Sequence, residues 1–149
     1  MKTKEIKTKI VIKASKEKVW KALTNFRDYP KWNPFIQTIE GDLKVGSKLK
    51  VKIVPPNSKG MTFKPNIIKL EEQKKLFWLG HLIIKGLFDG QHQFELIENK
   101  DGTTTLIQNE IFKGLLIPFF GEKFESSTRA GFNLMNSKLK EKIEIFDNL

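Results

Sequence analysis

Polar and apolar residues alternate along the first segment, KTKEIKTKIVIKA, which predicts a strand over roughly residues 3–13. Ser15 then reads as a helix N-cap, and Val19, Trp20 and Leu23 give a short helix over Lys16–Asn25 one apolar face. The stretch YPKWNPFI, Tyr29–Ile36, cannot carry a regular helix through Pro34, because proline pushes the preceding residue out of the helical region. It predicts a rigid corner that presents Tyr29, Trp32 and Phe35 in fixed directions. Strand-like runs follow over Phe35–Glu40, Ser47–Val54, Met61–Leu70 and Leu76–Ile84, separated by the turn signals GDLKVG, PPNSKG and EEQKK.

Two longer runs, Leu87–Glu98 and Thr103–Lys113, are joined by NKDG, whose Asp-Gly pair is a strong turn signal. Long neighbouring strands with short turns favour a curled antiparallel sheet. After GLLIP, a last helix is expected over about Phe119–Phe146. Its Phe132, Met135, Leu139, Ile143 and Phe146 recur at spacings of 3, 4, 4 and 3. At about 1.5 Å per residue such a helix is about 40 Å long and crosses the face of a sheet. The order predicts one α+β domain over residues 1–149: a bent sheet, a long helix against its concave face, and space between them.

Composition narrows the chemistry. There is no cysteine, so disulfides, thiolate catalysis and Cys-based metal sites are excluded. The two histidines, His81 and His92, lack metalloprotease spacing. Neither phosphate-binding glycine motif occurs. Ser15–Lys18 and Ser137–Lys140 match Ser-x-x-Lys, a pattern expected by chance in a lysine-rich chain without the partner motifs of serine–lysine enzymes. Glu71-Glu72 sits in an expected turn and reads as solvated. No catalytic residue is assigned, and no metal or cofactor is implied.

The net charge of +10 raises the question of nucleic acid. Arg27 and Arg129 are the only arginines, and the lysines are spread over almost every element. Base and phosphate recognition favours arginine forks and a dense basic patch, so a solvated surface is expected and a nucleic-acid partner is not. No apolar run approaches about 18 residues, so no integral membrane segment is expected. The opening MKTKEIKTKI lacks the apolar core of a secretion signal, which makes the cytoplasm the default location. Oligomeric state is left open. So is the role of the apolar segment Gly114–Phe120, which fits a lid, a dimer contact or a membrane-touching patch.

Within FDGQHQFEL, strict alternation puts Phe88, Gly90, His92, Phe94 and Leu96 on one face and Asp89, Gln91, Gln93 and Glu95 on the wet one. His92 therefore points inward, either as a satisfied core histidine or as a polar anchor in a pocket. In the next run Leu106, Gln108, Glu110 and Phe112 share a face, with Ile107, Asn109 and Ile111 on the other. Pattern does not choose between these faces. If the first set turns inward, Glu110 and Gln108 join His92, and an enclosed carboxylate then needs a partner. Twelve phenylalanines and three tryptophans in this chain make any such cavity one for a hydrophobic, ring-containing or acyl molecule.

The segment IKASKEKVWKALTNFRDYPKWNPFI closely resembles the opening of the START-like, Bet v 1-like superfamily, of the polyketide cyclase/dehydrase and lipid-transport type. The matching positions are Ala14, Ser15, Val19, Trp20, Tyr29, Pro30, Trp32, Asn33, Pro34 and Phe35. The late hairpin matches at His92, Phe94, Leu96, Glu110, Phe112 and Gly114. This resemblance implies a helix-grip fold, with a seven-stranded antiparallel sheet around the C-terminal helix and a hydrophobic cavity closed at one end by the proline-rich corner. It implies no catalytic set. The candidate ligand-binding residues are Trp32, Phe35, Trp78, His92, Phe94, Gln108, Glu110, Phe112, Leu116, Phe132 and Met135. Binding or carriage of a hydrophobic small molecule is the leading expectation. A cyclase acting through His92 and Glu110, and a chaperone-partner protein, are the alternatives.

Overall fold

Alternation in the first segment becomes β1 (Thr3–Ile12), with Ile6 and Ile12 fully buried. In the computed structural model, which describes residues 3–82 and 84–146 without the side chain of Phe146, β1 leads into α1 (Lys16–Thr24). Ser15 caps α1 by accepting from the Lys18 amide. A 3-10 turn over Phe26–Asp28 passes directly into the one-turn helix α2 (Tyr29–Trp32), which tolerates Pro30 in its first turn. The corner is held from within: the fully buried Tyr29 donates its hydroxyl to the Leu23 carbonyl. Burial pushes that phenol well above its ordinary pKa, so it stays a donor.

The expected run Met61–Leu70 proves to be two strands. β2 (Ile36–Glu40), β3 (Lys50–Ile53) and β4 (Met61–Phe63) form one antiparallel sheet. β5 (Asn66–Glu71), β6 (Lys75–His81), β7 (Asp89–Glu98) and β8 (Thr104–Lys113) join β1 in the order β1-β8-β7-β6-β5. The break falls at Lys64–Pro65, where proline has no amide to give to a ladder. The described chain thus has eight strands where seven were expected. The Leu49 amide donates to the Pro65 carbonyl, and Ile67 exchanges bonds with Ser47 and Gly46, so the run into β3 bridges the two sheets. Ser47–Leu49 therefore serve as a lead-in to β3. Ile83, expected at the end of the β6 run, lies outside the described residues.

The long helix starts later than the expected Phe119. Ile117–Phe119 form a 3-10 turn around Pro118, Phe120 is extended, and α3 (Glu122–Glu141) begins after Gly121. A π-helical turn continues it over Lys142–Phe146. At about 1.5 Å per residue the α-helical part is about 30 Å long, still enough to cross the sheet. Its buried face carries Thr128, Gly131, Phe132, Met135, Asn136 and Leu139, followed by Ile143. The side chain of Phe146, expected on this stripe, is outside the described part. A curved antiparallel sheet gripping one long helix is the helix-grip arrangement. None of its described helices is long and apolar enough to cross a membrane.

Candidate functional site: a cavity with one carboxylate in its wall

A cavity of about 150 Å³ remains between the two sheets and α3. β2–β4 and their links supply Phe35, Val51, Ile53, Met61 and Phe63. β6, β7 and β8 supply Trp78, His92, Glu110 and Phe112, and α3 supplies Phe124, Thr128 and Phe132 at helical spacing. Its deep end is made of buried residues, including Trp78, His92 and Phe132. Its open end lies between the solvent-exposed Ser58 and Met61 and the half-buried Leu82 and Phe124.

Part of this space exists because two side chains are missing from the sheet. Gly80 of β6 and Gly90 of β7 are register partners, and both line the cavity. A Cβ on Gly90 would lie 3.2 Å from Glu110 Oε2, so the bare backbone there leaves room for the carboxylate head. Phe35 is aimed by local chemistry. Asn33 Oδ1 accepts from the amides of Phe35 and Ile36 at 3.0 and 2.9 Å, fixing the turn around Pro34. The ring then meets Phe132 edge-on, centroids 5.5 Å apart.

β8 turns its Leu106–Gln108–Glu110–Phe112 face inward: Leu106 and Gln108 are fully buried and Phe112 nearly so. Asn109, on the other face, is buried too, by bonds to Glu5 and Gln93. Glu110 is the register partner of His92, and its Oε1 lies 2.7 Å from His92 Nδ1. The other ring nitrogen, Nε2, faces Gln108 Oε1 at 3.0 Å. His92 itself is fully buried and stacks on Trp78, with ring centroids 5.0 Å apart.

The hydrogen-bond directions can be assigned from the far end of this network. The Thr8 hydroxyl gives its one proton to the Gln108 backbone carbonyl at 3.0 Å, so its oxygen accepts from Asn136 Nδ2 at 2.9 Å. Asn136 Oδ1 must then accept from Gln108 Nε2, at 2.7 Å. The Phe132 carbonyl, 3.4 Å from the same nitrogen, favours the same amide orientation. Gln108 consequently offers His92 an acceptor, so Nε2–H donates to it. Nδ1 and Glu110 Oε1 must share one further proton, since two lone pairs would repel at that distance. Glu110 Oε2 has no hydrogen-bond partner among the described residues, and Oε2 is the oxygen that lies against Gly90. The cavity wall thus presents one free, acceptor-capable oxygen held by a buried chain through β7, β8, α3 and β1.

Of the residues expected to bind a ligand, Phe35, Trp78, His92, Glu110, Phe112 and Phe132 line this cavity. Trp32 does not: it packs edge-on against Tyr29 at 5.2 Å, beside a separate surface hollow. Among the corner's aromatics only Phe35 reaches the cavity. Phe94 and Met135 are fully buried packing residues outside its lining. Gln108 is displaced from the wall by His92, which it orients. Leu116, outside the lining and partly buried, holds the 114–120 segment through its amide, bonded to the Leu87 carbonyl at 3.0 Å.

The β3–β4 wall escaped the sequence reading because its alternation is short and interrupted by PPNSKG. Gly90 on the inward face beside His92 was the available signal for empty space. The described residues hold no group of acidic, histidine or cysteine side chains placed to hold a metal.

Among solved structures, a START superfamily protein from Mycobacterium smegmatis superposes with a TM-score of 0.76 at 15% identity, covering 95% of this chain and 98% of that one. The major latex-like protein 151 of Panax ginseng gives 0.75 at 16% identity, covering 95% and 98%. The di-domain ARO/CYC StfQ of the steffimycin biosynthetic pathway gives 0.67 at 11% identity, covering 94% of this chain and 51% of that one. At these identities the likeness concerns the fold alone. No curated protein matches by sequence. A family model described as polyketide cyclase / dehydrase and lipid transport matches residues 3–144, nearly the whole chain. The chain therefore belongs to that family.

Proposed function

We propose that this protein binds and carries an uncharged, ring-containing hydrophobic molecule that donates a hydrogen bond to Glu110 Oε2. The observation that carries the reading is that single unengaged carboxylate oxygen in an otherwise largely apolar wall. An apolar cavity of about this volume takes a benzene-sized ring. A ligand hydroxyl gives Glu110 Oε2 the partner it lacks among the described residues. A ligand carboxylate would instead meet another carboxylate in a low-dielectric site, which is unfavourable.

The test uses p-cresol, toluene and p-toluate as probes, with binding followed by ligand-observed NMR. The cresol is expected to bind about tenfold more tightly than toluene, and the toluate most weakly. Glu110→Gln should narrow the gap between cresol and toluate. Equal affinities for all three in both proteins, or no binding of any, would count against the proposal.

The proton shared between His92 Nδ1 and Glu110 favours a second reading, a cyclase that moves a proton on a polyketide-like substrate. Turnover of such a substrate that vanishes in Glu110→Gln would support it, whereas tight binding without conversion leaves carriage.

A further inference from the structure

Two loops meet beside the open end of the cavity. One, described at residues 82 and 84–88, joins β6 to β7, and the other, residues 114–120, joins β8 to α3. They are zipped together: the Leu115 amide donates to the Gly86 carbonyl at 3.1 Å and the Leu116 amide to the Leu87 carbonyl at 3.0 Å. The platform is backed by stacked rings, with Phe88 against Phe120 at 4.6 Å and Phe120 against Phe124 at 4.9 Å. On this firm base three large apolar side chains stand in solvent: Ile84 is 62% exposed, Leu115 66% and Phe119 82%. Loops that needed only to connect strands would carry polar residues there, and an apolar cluster so exposed marks an interaction face.

Charge identifies the occupant. Lys85, Lys113 and Lys123, all exposed, lie on or beside the same loops. Glu122 is exposed there too, so the local balance stays positive. Asp89, at the end of the first loop, has its carboxylate bonded to His81 and to the Gly86 amide, and the three lysines still outnumber it and Glu122. Apolar tips ringed by lysines match an anionic bilayer: the side chains enter the boundary between headgroups and acyl chains while the ammonium groups meet lipid phosphates. The whole chain, at +10, is attracted to the same surface.

We infer that residues 84–88 and 114–120 form a docking face for an anionic lipid bilayer. The face is continuous with the cavity, since Leu82, Phe112 and Phe124 line it. Docking there would set the cavity's open end against the membrane. This inference stands on the surface alone and does not depend on which molecule the cavity holds.

Co-sedimentation of the full chain with phosphatidylcholine vesicles, with and without phosphatidylglycerol, tests it. Binding is expected to the mixed vesicles and to fall as salt is raised. The double variant Leu115→Ser/Phe119→Ser should bind about tenfold or more weakly. Its thermal midpoint should hold, because both side chains are already exposed. Lys85→Glu/Lys113→Glu should lose about tenfold on the same vesicles. Lys21→Glu, on α1, should lose far less; an equal loss would mean a response to net charge with no docking face. Absence of vesicle binding, or binding indifferent to the Leu115/Phe119 change, would overturn the inference. So would self-association abolished by that double variant without any vesicle binding, which would make the face a contact between two copies.

Discussion

A Cβ placed on Gly131 of α3 would lie 2.4 Å from Cδ1 and Cε1 of the Phe35 ring. Glycine inside a helix ordinarily costs up to about 1 kcal/mol relative to alanine. Here the missing methyl is the seat of an aromatic ring that belongs to the cavity wall. Gly131→Ala should therefore destabilise the protein by about 1–3 kcal/mol despite its better helix propensity, because the overlap exceeds what a packed core absorbs. It should also weaken probe binding by pushing Phe35 toward the cavity. Urea unfolding checks the first expectation, and Gly131→Ala/Phe35→Leu should recover part of the lost stability. A more stable single variant would show that the ring is not seated there.

The chain Thr8–Asn136–Gln108–His92–Glu110 crosses four elements, each member hydrogen-bonded to the next. Asn136→Leu fills similar volume but leaves Gln108 Nε2, away from water, with only the long contact to the Phe132 carbonyl at 3.4 Å. The expected cost is about 1–3 kcal/mol. The sharper readout is the His92 ring, whose Nε2–H should broaden or shift in the NMR spectrum once Gln108 is free to turn its amide. A variant of reduced stability with an unchanged imidazole signal would mean that Asn136 packs but does not orient.

This network shows which parts of the site were legible in the sequence. His92 was placed inward by simple alternation, because β7 runs ten residues without a break and Asp89, Gln91, Gln93 and Glu95 mark the wet face. β8 gave no such mark: Gln108 and Glu110 are polar on the inward face, and Asn109 is buried on the other. Both faces of β8 carry polar groups that bond to partners remote in sequence, Gln108 to Asn136 and the Asn109 Nδ2 to Glu5, and local pattern cannot see those partners. Pro65 was visible, yet a single proline at a strand edge is tolerated, so the passage between two sheets was not deduced. Trp32 was misplaced for a related reason: one helical turn at Tyr29–Trp32 rotates it onto Tyr29 and leaves only Phe35 facing the cavity.

The β7–β8 turn carries its own acid sensitivity. Hydrogen bonds from the Thr103 hydroxyl and amide to Asp101, at 2.6 and 3.0 Å, hold the Asp101 carboxyl below its ordinary pKa. A depressed carboxyl pKa contributes stability above the unfolded value, about 4, and loses that contribution as pH falls through the folded value. The turn should loosen below about pH 4 before the sheet does. Amide exchange at Thr103 should accelerate there relative to amides in the middle of β7. In Asp101→Asn the acceleration should be absent, since no carboxylate remains to titrate.

Gly114 offers the strictest test of the loop platform. Its φ of +141° is a conformation that side-chain-bearing residues rarely adopt, and a Cβ there would stand 2.2 Å from the Leu87 carbonyl oxygen. Unlike the Phe35 ring at Gly131, that obstacle is backbone and cannot rotate away. Gly114→Ala must therefore separate the two loops or distort the end of β8. If separation is the cheaper route, the amides of Leu115 and Leu116 lose their acceptors and exchange rapidly. The far hairpin around Asn99–Thr103 would stay protected, because its bonds share no atom with the platform. Vesicle binding should fall as well, since the exposed apolar residues no longer stand on one surface. Uniformly raised exchange would instead mean that these loops unfold only with the rest of the sheet, and full protection at Leu115 and Leu116 would mean that Gly114 is not pressed against Leu87.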